Sequence, residues 1–400
     1  MGHSTEFLVL MVGPFYLLLA CWQFVGLATL ADKHLCPTLE RFCKSLELPT
    51  GLAGATLLAF GSSAPELAIA SVSALTGRAA YAIATILASA LIAFGLIPAV
   101  AVYLAGPLRL HVTGALRDAL FYALALGLLV RFSARPTVRA ADACLLILVY
   151  VLHVLVIAVV PAADGGEGWP AGKGDADSQR DDDDAADDDD DARAPPTRLA
   201  QLARAATAPF KLVFALTVPR ADIAPWHGFL MSVAWLALLS TGILFATERL
   251  AAVWGLSAAT AGMTLLAFGA QIPDTVAAVE LAREGLPDAA ISQAVASQVI
   301  NVSLGLGLPF LAHSLGARAP TEVADHRSVE LLGVAALLLV AAYVMCMHPR
   351  LCGRRASEAE RAVVVFDQKR ALALAFLFAV VYLGSVFCTE EHVYLDALFR

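Results

Sequence analysis

Two carboxylates stand where lipid would forbid them. Glu66 and Asp274 each follow a proline, and each falls in the middle of a long apolar stretch. A charge in the core of a bilayer costs several kcal/mol and is seldom kept without a task. Two such acids at one point call for a divalent cation or a small set of monovalent ones. The polar residues nearby in sequence fit that task. Ser62 and Ser63 lie one turn before Glu66, Ser89 and Ser297 offer hydroxyls, and Gln271 and Asn301 offer amide oxygens. Backbone carbonyls complete the expected set at Ala59 and Ala267, each upstream of a helix-breaking proline. Hard cations such as calcium and sodium take oxygen donors, calcium about six to eight of them. These stretches hold no His or Cys, which argues against zinc or copper. Glu66, Asp274, Ser62 and Ser63 are the expected calcium-type ligands. Ser89, Ser297, Ala59, Ala267, Gln271 and Asn301 are the expected sodium-type ones. A plainer reading keeps both acids protonated and hydrogen-bonded, fixing helix contacts only.

The two acids are copies of one another. Gly54-Ala-Thr-Leu-Leu-Ala-Phe-Gly-Ser-Ser-Ala-Pro-Glu66 recurs as Gly262-Met-Thr-Leu-Leu-Ala-Phe-Gly-Ala-Gln-Ile-Pro-Asp274. The register then holds without a gap, so that Ala88-Ser-Ala-Leu-Ile-Ala93 aligns with Ala296-Ser-Gln-Val-Ile-Asn301. Chance likeness between apolar helices does not keep one offset across two of them. Proline removes a backbone donor and frees the carbonyl one turn earlier. Glycine lets a neighbouring helix approach closely. Each copy therefore predicts a broken helix with a carboxylate beside the break.

The elements that hold these residues must be membrane helices. The chain has 400 residues, 59% hydrophobic and 16% charged, with mean hydropathy +0.73. A soluble domain carries nearer a quarter charged residues, so the bilayer is the main solvent. A span needs about 20 apolar residues. Ten stretches qualify: 7–30, 51–76, 80–105, 112–131, 139–161, 227–248, 257–281, 287–314, 328–348 and 371–388. The expected fold is all-α, ten transmembrane helices in two five-helix halves. Five spans separate the repeat copies, an odd number, so the second enters the membrane from the opposite side. Inverted repeats of this kind build many secondary transporters and place one site between two rocking halves.

The expected organisation is a first half at 1–161 with its repeat at 51–105, a linker at 162–222, and a second half at 223–400 with its repeat at 257–314. The linker carries the acidic runs Asp181–Asp184 and Asp187–Asp191, which hold much of the net charge of −8. Such runs repel themselves and stay solvated. The order of a calcium-binding EF-hand loop is absent. Thr197 to Leu216 mixes Arg198, Arg204 and Lys211 with apolar residues, a pattern for a helix in the headgroup plane. Lys and Arg cluster in 31–50 and 349–370, which fall on one side together with the linker and make that side cytosolic. Arg131, Arg135 and Arg139 fall on the other side. The seven cysteines are scattered without a CxxC pair, which argues against a disulfide framework or zinc site. The apolar run at 7–30 is too long for a signal peptide. Nothing points to a nucleic-acid partner, a cofactor or an enzyme.

The two copies resemble the alpha-repeats of the calcium/cation antiporter superfamily, the sodium/calcium exchanger family. The likeness is closest to the potassium-dependent branch. Three stretches carry it: Ala31-Asp-Lys-His-Leu-Cys-Pro-Thr-Leu-Glu-Arg-Phe-Cys43, Ala53-Gly-Ala-Thr through Gly-Ser-Ser-Ala-Pro-Glu66-Leu, and Ala282-Arg-Glu-Gly-Leu-Pro-Asp-Ala-Ala-Ile-Ser292. The resemblance implies a ten-helix fold, sodium import coupled to calcium extrusion, and Glu66 and Asp274 as shared ligands. This chain departs from the family pattern at Ala93, at Ala270 and Gln271, and at Gln298. Asn301 stands where the potassium-dependent branch has Asp, which by resemblance argues against potassium dependence. Two other readings remain open: an exchanger driven by protons or moving another divalent cation, and a membrane scaffold or sensor that transports nothing.

Overall fold

The computed structural model describes residues 12–47, 56–57, 59–133, 135, 137–159, 198–219, 223–316, 321–322, 326–347 and 363–398. The acidic runs and most of the basic loop at 349–370 lie outside this set. Helix α1 (Gly13–Leu30) runs through a π-helical turn, Ala31–Leu35, into α2 (Cys36–Ser45). The first repeat follows as α3 (Ala59–Ser62), α4 (Ala64–Leu75) and α5 (Ala79–Leu91), the last leading through a π turn, Ile92–Leu96, into α6 (Ile97–Ala105). Strand β1 (Leu108–His111), α7 (Val112–Ser133), β2 (Thr137–Val138) and α8 (Ala140–Val159) complete the first half. Helix α9 (Arg198–Thr217) ends the linker. The second half holds α10 (Pro225–Trp254) and α11 (Ala258–Ala261), then a π turn, Gly262–Leu266, leading into α12 (Ala267–Arg283). It continues with α13 (Pro287–Ser303), α14 (Gly307–Gly316), β3 (Thr321–Glu322), α15 (His326–Cys346), β4 (Val363–Phe366) and α16 (Gln368–Leu398).

Among the described residues, nine helical stretches are long and apolar enough to cross a membrane. The tenth expected span, 51–76, is represented by α3 and the shorter apolar α4. The first span is longer than its apolar run: Gly13–Ser45 is a continuous 33 residues, about 50 Å at ~1.5 Å per residue. The hydrocarbon core is about 30 Å thick, so α2, with Glu40, Arg41 and Lys44, projects beyond it. Gly285, with φ of +81°, turns the chain between α12 and α13, and Pro287 opens the new helix where its missing N–H costs nothing. The sequence Gly285-Leu-Pro-Asp288 is thus the plain turn it resembles.

The repeat helices form the centre of the bundle. In the 18-residue apolar stretch of each span, 89% of residues are buried for Ala79–Ala105 and 78% for Ala290–Gly316, against 28% for Ala140–Val159 and the first span. The pair at the core occupies matching positions in the two halves. Close packing at the repeats rests on glycine: a Cβ on Gly262 would meet the Tyr81 carbonyl and the Ala84 side chain at 3.1 Å.

Two short β ribbons fix the topology. Strand β1 pairs antiparallel with β4, and β2 with β3. Six spans lie between β1 and β4 and four between β2 and β3, so each pair meets only when these numbers are even. A single span, α7, separates β1 from β2, so the ribbons sit on opposite faces. This agrees with ten spans in two halves of opposed orientation. Arg135, on the face opposite the linker, is paired with Asp142 at 3.1 Å, so it is no longer a free positive charge on that side. Helix α9 forms one residue from its expected start and packs its aromatic side on α1 and α10. Phe210 and Phe214 are buried, the Trp22 indole of α1 donates to the Ala206 carbonyl at 3.2 Å, and Phe214 touches His34 and Trp235 of α10.

Candidate cation site

The expected break beside the acid forms in the first repeat and not in the second, where the helix runs on through its proline. In the first repeat the helix breaks at Ser63, and Pro65 and Glu66 fall in the first turn of α4. Glu66 therefore meets the positive end of a helix inside the membrane, which favours its charge by ~0.3–1 kcal/mol. In the second repeat α12 continues through Pro273, and the irregular turn lies upstream at Gly262–Leu266. The Met263 carbonyl in that turn accepts from the Tyr382 hydroxyl of α16 at 3.0 Å, so the neighbouring helix takes up a freed acceptor.

The two repeats meet at a hydrogen bond. Gln271 of α12 donates through Nε2 to Glu66 Oε1 at 3.1 Å. Glu66 is 1% exposed and Asp274, one turn after Gln271, is 8% exposed. The charge of Asp274 is felt at Glu66. Several of the sequence-expected oxygens on the repeat helices have no partner. Glu66 Oε2, Ser63 Oγ, Ser89 Oγ, Gln271 Oε1 and Asn301 Oδ1 are all buried and accept or donate no hydrogen bond. A buried polar atom left unpaired costs roughly 1–3 kcal/mol. Several together at the sequence-expected positions fit a cation that would satisfy them jointly. Among the described residues no group of three or more His, Cys, Asp and Glu side chains lies within metal-binding reach. A cation here would draw on hydroxyl and amide oxygens as well as the two carboxylates.

The remaining expected ligands fall into two kinds. Ser62 lines the cleft beside Asp274, with its hydroxyl donating to the Ala59 carbonyl at 3.1 Å. That carbonyl also accepts the Ser63 N–H at 3.1 Å, so Ala59 is a poorer ligand than its position suggested. Ala267 is buried at the first residue after the π turn. Helix α5 packs on α12 and α13 packs on α3, which carries Ser89, Ser297 and Asn301 to the repeat interface. Ser297 is occupied locally: its hydroxyl donates to the Ala294 carbonyl at 2.9 Å and accepts from Gln298 Nε2 at 3.2 Å. Gln298, fully buried, in turn accepts from Asn301 Nδ2 at 3.5 Å. Its place one residue after Ser297 could have flagged it. A cleft of roughly 160 Å³ reaches Asp274 and Ser62 and is also lined by Asp32, Cys36, Glu40 and Gln293. None of these four was singled out from sequence as a site residue.

Paired acids buried between two halves of opposed orientation define a polytopic membrane protein of the inverted-repeat kind. The profile of the sodium/calcium exchanger protein family matches residues 15–159 and 224–389. The chain belongs to the sodium/calcium exchanger family. Sodium/potassium/calcium exchanger 5 of Homo sapiens is 25% identical over 363 residues, 77% of this chain and 72% of its own length. Sodium/potassium/calcium exchanger 1 of Bos taurus is 31% identical over 122 residues, 30% of this chain. The matched stretches span only 10%, 18% and 15% of the first three curated relatives. Among solved structures, the H+/Ca2+ exchanger CAX superposes with TM-score 0.60 at 13% identity, covering 98% of this chain and 93% of its own. YfkE superposes with TM-score 0.55 at 12% identity, covering 92% and 91%. At such identities the likeness is one of fold.

Proposed function

We propose that the chain is a secondary active antiporter that exchanges calcium for sodium across its membrane by alternating access. The observation that carries this reading is the burial of both acids at the repeat interface, where Gln271 of the second repeat, one turn before Asp274, donates to Glu66 of the first. Two buried carboxylates need compensating charge whatever else binds, and either one calcium ion or two sodium ions supplies it. The repeat architecture can present this site to each side in turn. Membership of the family supports the same two ions, and the names of several relatives add potassium to them. In this reading Glu66, Asp274, Ser62 and Ser63 hold calcium, and Ser89, Ser297, Gln271, Asn301 and the carbonyls at 59 and 267 serve sodium. The halves are 1–161 and 223–400, joined by a cytosolic linker at 162–222. The partners are the two ions and the lipid bilayer, the protein acts as a transporter and not as an enzyme, and Asn301, where the potassium-dependent branch has Asp, argues against potassium dependence.

The deciding experiment is radiolabelled calcium flux in proteoliposomes with and without an opposing sodium gradient. Sodium-dependent uptake supports the proposal, and its absence removes it. One observation favours a second reading. Ala270 and Gln271 bring no hydroxyl to α12, and the Gln271 amide is already engaged by Glu66. Both reduce the oxygen set for sodium. Calcium flux driven by a pH gradient alone, with sodium inert, would replace sodium with protons as the coupling ion. Equilibrium calcium binding that is unaltered in Glu66→Gln with Asp274→Asn would leave only the scaffold reading.

A further inference from the structure

The cleft that ends on Asp274 has a charged mouth. It runs from Asp274 and Ser62 along Cys36 to Asp32 and Glu40. Asp32 lies on the π turn Ala31–Leu35, where α1 widens before α2 begins. Such turns recur at functional positions, because the extra residue swings a side chain out of helical register. Asp32 is exposed, whereas Asp274 is 8% exposed and has no hydrogen-bond partner among the described residues. The charges are connected along the cleft. That of Asp32 acts on Asp274, and that of Glu280 on α12 acts on Asp32. Cys36, one turn after Asp32, lines the same cleft as Asp32, Glu40 and Asp274. Lys33, next in the chain, offsets part of this negative charge.

We propose that Asp32 is the entry carboxylate of this cleft, drawing cations from the side that carries residues 31–47 and handing them to Asp274. It rests on the antiport reading above in that the ion drawn is the transported one. Asp32 sets the apparent affinity for calcium on its own side alone and is no ligand of the central site. Negative potential at the mouth of a low-dielectric cleft concentrates cations, an effect that reaches 10–10³-fold in on-rate for whole clefts. A single mouth carboxylate accounts for a modest share of that.

The test uses the full chain in oriented proteoliposomes. Asp32→Asn is expected to raise the calcium concentration for half-maximal flux about three- to tenfold on the 31–47 side. The other side is unchanged, the maximal rate is kept, and Asp32→Glu behaves as wild type. No shift on either side, or an equal shift on both, overturns the proposal. A second measurement needs no transport. With the other six cysteines replaced, Cys36 is treated with cationic and anionic methanethiosulfonates of matched size. The cationic reagent reacts faster, and Asp32→Asn lowers that preference at least about threefold. An unchanged preference refutes the role of Asp32. A wild-type protein that carries no calcium sinks the antiport reading, and the thiol experiment then decides on Asp32 by itself.

Discussion

Counting charges at the site sets what exchange does to the membrane potential. Glu66 and Asp274 are the two buried acids there. One calcium ion cancels both, and so do two sodium ions, so a complete cycle moves no net charge. Asn301 offers a way to change the sum. It is 1% exposed on α13, and its Oδ1 has no hydrogen-bond partner. Asn301→Asp adds a third buried carboxylate; a third sodium neutralises it in the sodium-loaded state, and where calcium travels without a companion cation the extra negative charge crosses uncompensated in the calcium-loaded state. Each cycle then carries one elementary charge. Moving that charge through 100 mV is worth ~2.3 kcal/mol, and ~1.4 kcal/mol is a factor of ten, so the limiting calcium gradient shifts roughly fifty-fold. The assay is proteoliposomes with equal sodium on both sides, clamped at zero or at about 100 mV by a potassium gradient and valinomycin, with internal calcium read at steady state. The wild-type gradient is the same at both potentials, and the variant gradient moves by the full factor. A potential-driven shift in the wild type would refute the two-carboxylate count, and a flat variant would refute the place of Asn301 at the site.

Glu66→Ala and Asp274→Ala are each expected to abolish calcium flux while leaving an elution profile and melting curve like those of wild type, since each removes a buried charge without opening the apolar core. Asp118→Ala strands its partners: Asp118 Oδ1 accepts from Arg117 at 2.8 Å and pairs with His153 at 3.0 Å. Breaking a buried pair on one side costs ~3–5 kcal/mol, and with Arg117 partly exposed about 3 kcal/mol is expected, read as a lowered melting temperature in detergent. Gly262→Leu pushes α11 and α12 away from α5, because even the first added carbon meets Tyr81 and Ala84; ~1–3 kcal/mol of overpacking is expected in the same measurement. Deleting 181–191 leaves basal flux intact, and its loss would make the acidic run part of the transport machinery.

The residues that the sequence marks most clearly are those under the harshest physical constraint. An acid after a proline inside an apolar run has few harmless explanations, so Glu66 and Asp274 stand out, and duplication ties them together. The ten spans follow from length and hydropathy alone. What stays hidden depends on neighbours distant in the chain. Gln271 reads as an oxygen donor, yet its amide nitrogen is what bonds Glu66. Ser297 reads as a free hydroxyl, yet its own helix and Gln298 claim it. The π turn that exposes Asp32 leaves no mark in the hydrophobic pattern, and the basic residues of α9 draw the eye away from the aromatic face at Phe210 and Phe214 that packs on the bundle. The β strands, only two to four residues long, carry too few residues for an alternating pattern to show.

Each ribbon takes one strand from each half, one ribbon at either rim of the protein. The halves are therefore buttoned together at top and bottom by backbone hydrogen bonds, independent of the peptide that joins them in sequence. In the alternating-access reading, a swing of one half against the other has to accommodate these two fastenings.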